Sequence, residues 1–180
     1  MMKKFSLLLS IMTIFCLTAC GDGDGDGDSN SKNIDKPNLA EAEIEVSLQN
    51  AVDIFLREFE VDDITKVELD SDMDQWKYDV AGITNDKEYE LVIDAHTGDI
   101  LNKSEEGIEK GEKDQGISLN EVISPSEAIK IVQAETSNEI GGWTLEVENR
   151  TEQYEIEVRD GSEEIDYIIH AISGELEGRD

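Results

Sequence analysis

Residues 76–101 read WKYDVAGITNDKEYELVIDAHTGDIL, and residues 152–177 repeat the pattern as EQYEIEVRDGSEEIDYIIHAISGELE. A shift of 76 positions places Gly98 on Gly174 and needs no gap. A repeat of this length indicates two copies of one supersecondary unit. The stretch therefore decides the architecture, because the chain contains the same small unit twice.

Within each copy, apolar and polar residues alternate as they do in half-buried β-strands. Trp76, Tyr78 and Val80 alternate with charged residues, and a returning strand follows after a polar turn. We expect Gly98 to adopt a positive φ angle, which glycine tolerates best, and Gly174 to form the equivalent turn. The repeated stretch is therefore predicted to be an antiparallel hairpin that ends in a glycine turn.

A helix is predicted before each hairpin. Ser47 is a suitable N-cap, and residues 48–59 place apolar side chains on one helical face. Ser124 has the same role in the second copy, followed by Pro125 at the first helical position and by Glu127 in a capping-box pattern. One more strand lies between each helix and its hairpin. The predicted fold is α+β, with two repeats that each pack one helix on a three-stranded antiparallel sheet.

The beginning of the chain has the pattern of an export signal. Two lysines precede an apolar run over residues 5–17, which is too short for a transmembrane helix. The residues that end at Cys20 resemble the bacterial lipobox, in which the cysteine receives a diacylglycerol through its sulfur and cleavage leaves it as the first residue. An ordinary secretory signal is the alternative. We expect Cys20 to be lipidated and the protein to be anchored to the cell membrane, facing outside the cytoplasm.

These observations divide the chain into five segments. The signal peptide is assigned to residues 1–19. A flexible acidic tether rich in Gly and Asp follows over residues 20–44, since alternating Gly and Asp cannot form a core. The first repeat is assigned to residues 45–104, a linker to 105–120 and the second repeat to 121–180.

Two aspartate clusters resemble the start of a calcium-binding loop, but neither continues as one. The loop requires glutamate at its twelfth position. Counting from Asp22 that position holds Asn33, and counting from Asp70 it holds Ala81. We predict no metal site, and weak association with cations stays open.

Charge restricts the partners of this protein. The chain has 44 acidic and 15 basic residues, for a formal net charge of -29. Nucleic acid is excluded as a partner, because phosphate binding relies on clustered lysine and arginine. The charge is also consistent with a cationic partner, with metal ions, or with a surface that is simply well solvated.

Motifs for catalysis are not found in the sequence. The chain has no nucleophile elbow, no zinc-protease motif and no phosphate-binding glycine loop. His96 and His170 are the two histidines, and a shared metal or pH-sensing site is the less favoured interpretation of them. We therefore predict no catalytic residues, no cofactor and no enzymatic activity.

Residues 45–104 and 121–180 resemble tandem PepSY domains. The most specific part is the closing segment Asp94–Ile100, which reads DAHTGDI; the second copy departs from it with His170 and Ser173. The resemblance implies a cystatin-like topology and a likeness to the inhibitory propeptides of thermolysin-type metallopeptidases. It implies no catalytic motif.

The resemblance and the export signal together predict a lipid-anchored binding protein. Its PepSY domains are expected to modulate or inhibit a secreted or membrane peptidase near the cell envelope. The alternative is an acidic cation-binding or envelope-sensing accessory protein without a peptidase target. Whether the two sheets join edge to edge is left open by the sequence.

Overall fold

The computed structural model describes residues 37–72, 75–108 and 115–180. The predicted signal peptide, the lipidation site Cys20 and the first part of the tether lie outside the described residues.

Within these described ranges, each repeat contains one helix followed by four strands. The first repeat comprises α1 (Leu48–Glu58), β1 (Asp63–Asp72), β2 (Gln75–Ile83), β3 (Lys87–Asp94) and β4 (Ile100–Gly107). The second comprises α2 (Pro125–Glu135), β5 (Glu139–Glu148), β6 (Thr151–Asp160), β7 (Glu163–His170) and β8 (Leu176–Arg179).

A serine N-cap stands at the start of each helix. The Ser47 hydroxyl accepts a hydrogen bond from the backbone N–H of Asn50 at 3.2 Å. Ser124 and Glu127 form a complete capping box, with each side chain bonded to the backbone N–H of the other residue. The caps satisfy donors that have no partner within the helix, so the predicted helix starts correspond to the observed ones.

All eight strands form one antiparallel sheet in the order β4-β3-β2-β1-β5-β6-β7-β8. The repeats join where β1 pairs with β5, in a register that places Lys66 opposite Glu146 and Leu69 opposite Trp143. The edge that each repeat would expose at its first strand is therefore covered by the other repeat.

The prediction of three strands per repeat is wrong by one strand. β4 and β8 are the additional strands and form the two outer edges of the sheet. β4 also places residues 105–107 in the sheet, where the sequence predicted the beginning of the linker. Seven of its eight residues are exposed, so β4 has no alternating apolar pattern from which it could be predicted.

The predicted tether also ends earlier than residue 44. Leu39, Ala42 and Ile44 pack against the hydrophobic core. The Arg159 guanidinium donates a hydrogen bond to the carbonyl of Pro37 at 3.1 Å. The segment that leads into the first helix is thus part of the folded structure.

The core lies between the two helices and one face of the sheet. Three aromatic side chains connect the repeats there: the Trp143 ring lies 6.0 Å from that of Tyr78 and 5.8 Å from that of Tyr154, edge-on in both cases. Such arrangements are favourable for aromatic pairs beyond the area they bury. Trp143 therefore holds the tyrosines of both repeats in one core.

Candidate binding surfaces

The turns that follow β3 and β7 are stabilised by equivalent hydrogen bonds, which are accepted by different side chains in the two repeats. The Asp94 carboxylate accepts hydrogen bonds from the backbone N–H groups of His96 at 2.9 Å and Thr97 at 2.7 Å. Hydrogen bonding, first from the Thr97 backbone and then from Gln75, lowers the pKa of Asp94 to about 2. Gly98 follows with a φ angle of +77°.

In the second repeat a histidine takes the place of that aspartate. Nδ1 of His170 accepts from the backbone N–H groups of Ile172 at 3.3 Å and Ser173 at 3.2 Å. Gly174 has a φ angle of +72°. The exchange of Asp for His thus preserves the acceptor, and both turns have a structural role.

The two histidines are not brought together. His96 lies in the turn after β3 and His170 at the end of β7, with four strands of the sheet between β3 and β7. A histidine site shared by the repeats is therefore not formed.

An apolar groove of about 490 Å³ lies between the starts of the two helices. Its lining includes Tyr78, Trp143 and Tyr154 and the segments that lead into both helices. The Tyr78 hydroxyl donates to the carbonyl of Val46, and the Tyr154 hydroxyl to that of Ile123, each at 2.9 Å. Burial raises the pKa of both tyrosines, so the hydroxyls stay protonated and fix the walls of the groove.

The opposite face of the sheet, which we call the open face, is acidic. Strand pairing aligns one row of residues across all eight strands: Asn102, Val92, Asp79, Glu68, Thr144, Glu155, Ile168 and Gly178. Asp79 and Glu155 occupy equivalent positions in the two repeats. Carboxylates of neighbouring strands surround both of them.

The environment of Asp79 and Glu155 on the open face disfavours the charged form of their carboxyl groups. Burial, together with the nearby carboxylate of Glu90, raises the pKa of Asp79 to about 7. Burial likewise raises the pKa of Glu155 to about 7, assisted by Glu146 and Asp166. Protonation of either group therefore stabilises the folded state relative to the unfolded chain.

This environment predicts how stability depends on pH. A carboxyl group whose pKa is raised by folding stabilises the fold fully below its unfolded pKa of about 4, and this contribution is lost as the pH rises through 7. Asp94 acts in the opposite direction, since its contribution is lost as the pH falls from about 4 towards 2. We expect the melting temperature to be highest near pH 4 and to decrease by several degrees at pH 8.

Thermal unfolding between pH 4 and 8 checks this expectation. Glu155→Gln should reduce the difference between pH 4 and pH 8, because it removes one of the titrating groups. Glu43→Gln makes the same change of charge at an exposed position and should leave the difference unaltered. A pH dependence that is equal in both variants would contradict the assignment.

Residues 37–72, 75–108 and 115–180 contain neither a metal site nor a membrane-spanning helix. Within these ranges, no three or more His, Cys, Asp or Glu side chains are arranged to hold a metal ion. No helix in the described ranges has the length and apolar composition of a membrane span.

Comparison with known families gives two matches along the chain. The family model described as "Peptidase propeptide and YPEB domain", or PepSY, matches residues 45–103 and again residues 122–180. Together the matched residues make up more than half of the chain. The chain belongs to the PepSY family. Its tandem PepSY repeats are the two halves of the eight-stranded sheet.

A solved structure shares the arrangement of both PepSY repeats. It is that of a candidate lipoprotein from Clostridium difficile 630, 24% identical in sequence, with a TM-score of 0.74. The match covers 79% of this chain and 97% of that chain. At this identity the likeness shows the fold. A comparison with curated proteins gives no significant match.

The sequence analysis predicted neither the apolar groove nor the acidic open face. The groove is formed by residues from both PepSY repeats, and the open face depends on which residues lie opposite each other across the β1–β5 junction. A signal for the open face was nevertheless present: acidic residues alternate with the apolar residues of every inner strand.

Proposed function

We propose that this protein is a lipid-anchored, extracytoplasmic binding protein that uses its tandem PepSY domains to modulate peptidase activity near the cell envelope. The match of both repeats to a family described by its peptidase propeptides carries the proposal. The export signal and the lipobox-like residues before Cys20 support the location. The protein acts by docking, and its own residues carry out no reaction.

The groove between the helices is the surface that suits this docking. It is apolar, it is open at the surface, and hydrogen bonds from Tyr78 and Tyr154 fix its walls. Grooves of this kind accept apolar side chains of a partner, and a preformed groove reduces the ordering that binding requires.

Inhibition of a secreted thermolysin-type metallopeptidase tests the proposal. The full-length protein, purified in a mild detergent, should slow peptide hydrolysis and should capture a peptidase from a native envelope extract. Val122→Lys places a charge in the groove and should abolish both effects, whereas Leu56→Lys on the exposed side of α1 should retain them. An unaltered rate of hydrolysis, with no peptidase captured, would refute the proposal.

A further inference from the structure

The two edges of the eight-stranded sheet differ in length. β8 at one edge has 4 residues, whereas β4 at the other edge has 8. An edge strand presents backbone N–H and C=O groups on its outer side, and these groups can pair with a further strand. β4 is therefore the longer of the two places at which this sheet can be extended.

The pairing of β4 with β3 determines which backbone groups of β4 point outward. The backbone N–H of Ile108 donates to the carbonyl of Asp86 at 3.0 Å, in the register that continues along both strands. In an antiparallel pair, residues that are bonded to the neighbouring strand alternate with residues whose backbone groups point away from it. The N–H and C=O groups of Lys103, Glu105 and Gly107 therefore point outward from the sheet.

Two of these residues carry opposite charges on the face that bears the helices. Lys103 forms an ion pair with Glu58 of α1, and Glu105 forms one with Lys87 at 3.1 Å. Lys103 lies opposite the buried Leu91, which places it on the helix-bearing face. The side chains of Lys103 and Glu105 are still 46% and 59% exposed, so each can contact a further opposite charge.

A second copy of β4 can pair with the first in few symmetric registers. The outward-pointing residues must lie opposite one another, and a two-fold axis then passes through a single residue position. An axis at Lys103 or at Glu105 would place that residue opposite its own copy, so that like charges meet. An axis at Ser104 instead places Lys103 of each copy opposite Glu105 of the other. Charge therefore favours the register centred on Ser104.

This register links ion pairs that already exist. On the helix-bearing face it aligns Glu58 and Lys103 of one copy with Glu105 and Lys87 of the other, in alternating sign. Such a row contributes more than isolated surface pairs do. On the open face, where the Ser104 hydroxyl donates to Glu90 at 3.1 Å, the register places Ser104 opposite its own copy. Lys103 and Glu105 of the two copies would exchange about four backbone hydrogen bonds.

We propose that β4 is a self-association surface, through which two copies of this protein join their sheets antiparallel about Ser104. The formal net charge of -29 on each copy opposes approach at long range, and salt at physiological concentration screens this repulsion. At contact, the matched charges of β4 select the register. No residue of β4 lines the apolar groove, so the proposal does not depend on a peptidase as the target.

Disulfide cross-linking of the full-length protein in mild detergent tests the register. At the axis the Cβ atoms of Ser104 from the two copies would lie about 4.5–5.5 Å apart, close enough for a disulfide after a small adjustment. Ser104→Cys should therefore form a covalent dimer under mild oxidation. Asn102→Cys is the matched control on the same strand face, and it should not cross-link, because its two copies would lie about 13 Å apart.

Both cysteine variants retain Cys16 and Cys20, so cross-linking through these native thiols contributes equally to both. Equal yields of dimer from the two variants would show random collision and would overturn the proposal. Absence of the dimer in the Ser104 variant would overturn it as well, including the case in which β4 pairs with a different polypeptide.

An exchange of charges between two variants provides an independent measurement. Lys103→Glu and Glu105→Lys each place like charges opposite one another in the symmetric pair, so each variant alone should associate about tenfold more weakly than the unmodified protein. A mixture of the two variants restores opposite charges at both contacts. In sedimentation experiments the mixture should associate as strongly as the unmodified protein. A mixture that stays monomeric, or an unmodified protein that is itself monomeric, would refute self-association through β4.

Discussion

Replacing Phe55 with alanine is expected to lower the free energy of unfolding by about 3–5 kcal/mol, the usual range for a large buried aromatic residue. Phe55 is fully buried, with 0% of its surface exposed. Its ring lies against Gly82 of β2, where an added Cβ would be only 2.9 Å from the ring. Since glycine has no side chain that could move into the space, the cavity would remain.

Denaturant unfolding followed by circular dichroism measures this loss. The next residue is the control: Leu56 is 48% exposed, and Leu56→Ala should change the free energy of unfolding by less than about 0.5 kcal/mol. A loss below about 1 kcal/mol for the Phe55 variant would mean that β2 and α1 move together to close the cavity.

Replacing Trp143 with alanine should have an effect of similar size, about 3–5 kcal/mol, and should also separate the unfolding of the two repeats. Trp143 is 3% exposed and is the ring that contacts the buried tyrosines Tyr78 and Tyr154. Without it, the repeats are joined mainly by the short β1–β5 ladder. Cooperative unfolding depends on such shared contacts.

Two spectroscopic signals distinguish these outcomes. The chain has two tryptophans, so in the Trp143 variant the fluorescence comes from Trp76 in the first repeat alone. Circular dichroism reports both repeats. We expect coincident transitions in the unmodified protein and separate transitions in the variant; coincidence in both would show that the backbone ladder alone couples the repeats.

The fold was predictable where local chemistry decides it. The offset of 76 residues identified the repeats, and Ser47 and Ser124 marked the helix starts through their hydroxyl caps. The alternation around Tyr78 and Tyr154 placed the inner strands, because each of them buries one face.

The outer strands β4 and β8 and the pairing of β1 with β5 could not be predicted from the sequence, and the structure shows the physical reasons. β4 is held by backbone hydrogen bonds to β3, and its side chains carry no apolar pattern because they are exposed. The β1–β5 register places Leu69 opposite Trp143, 74 residues apart in sequence. Contacts of this separation depend on the assembled sheet. The close contact at Gly142, where an added Cβ would lie 2.6 Å from the carbonyl oxygen of Leu69, could therefore be recognised only in the structure.

The pairing of β1 with β5 joins the same strand from two copies of one unit. A single copy would leave this strand open, and two separate chains could pair through it as a symmetric homodimer, in which every residue occurs on both sides. Fusion in one chain makes the association independent of protein concentration. Fusion also allows the two repeats to differ in sequence. Position 66 of β1 corresponds to position 142 of β5, 76 residues later. The lysine at the first and the glycine at the second are a difference that no homodimer could contain.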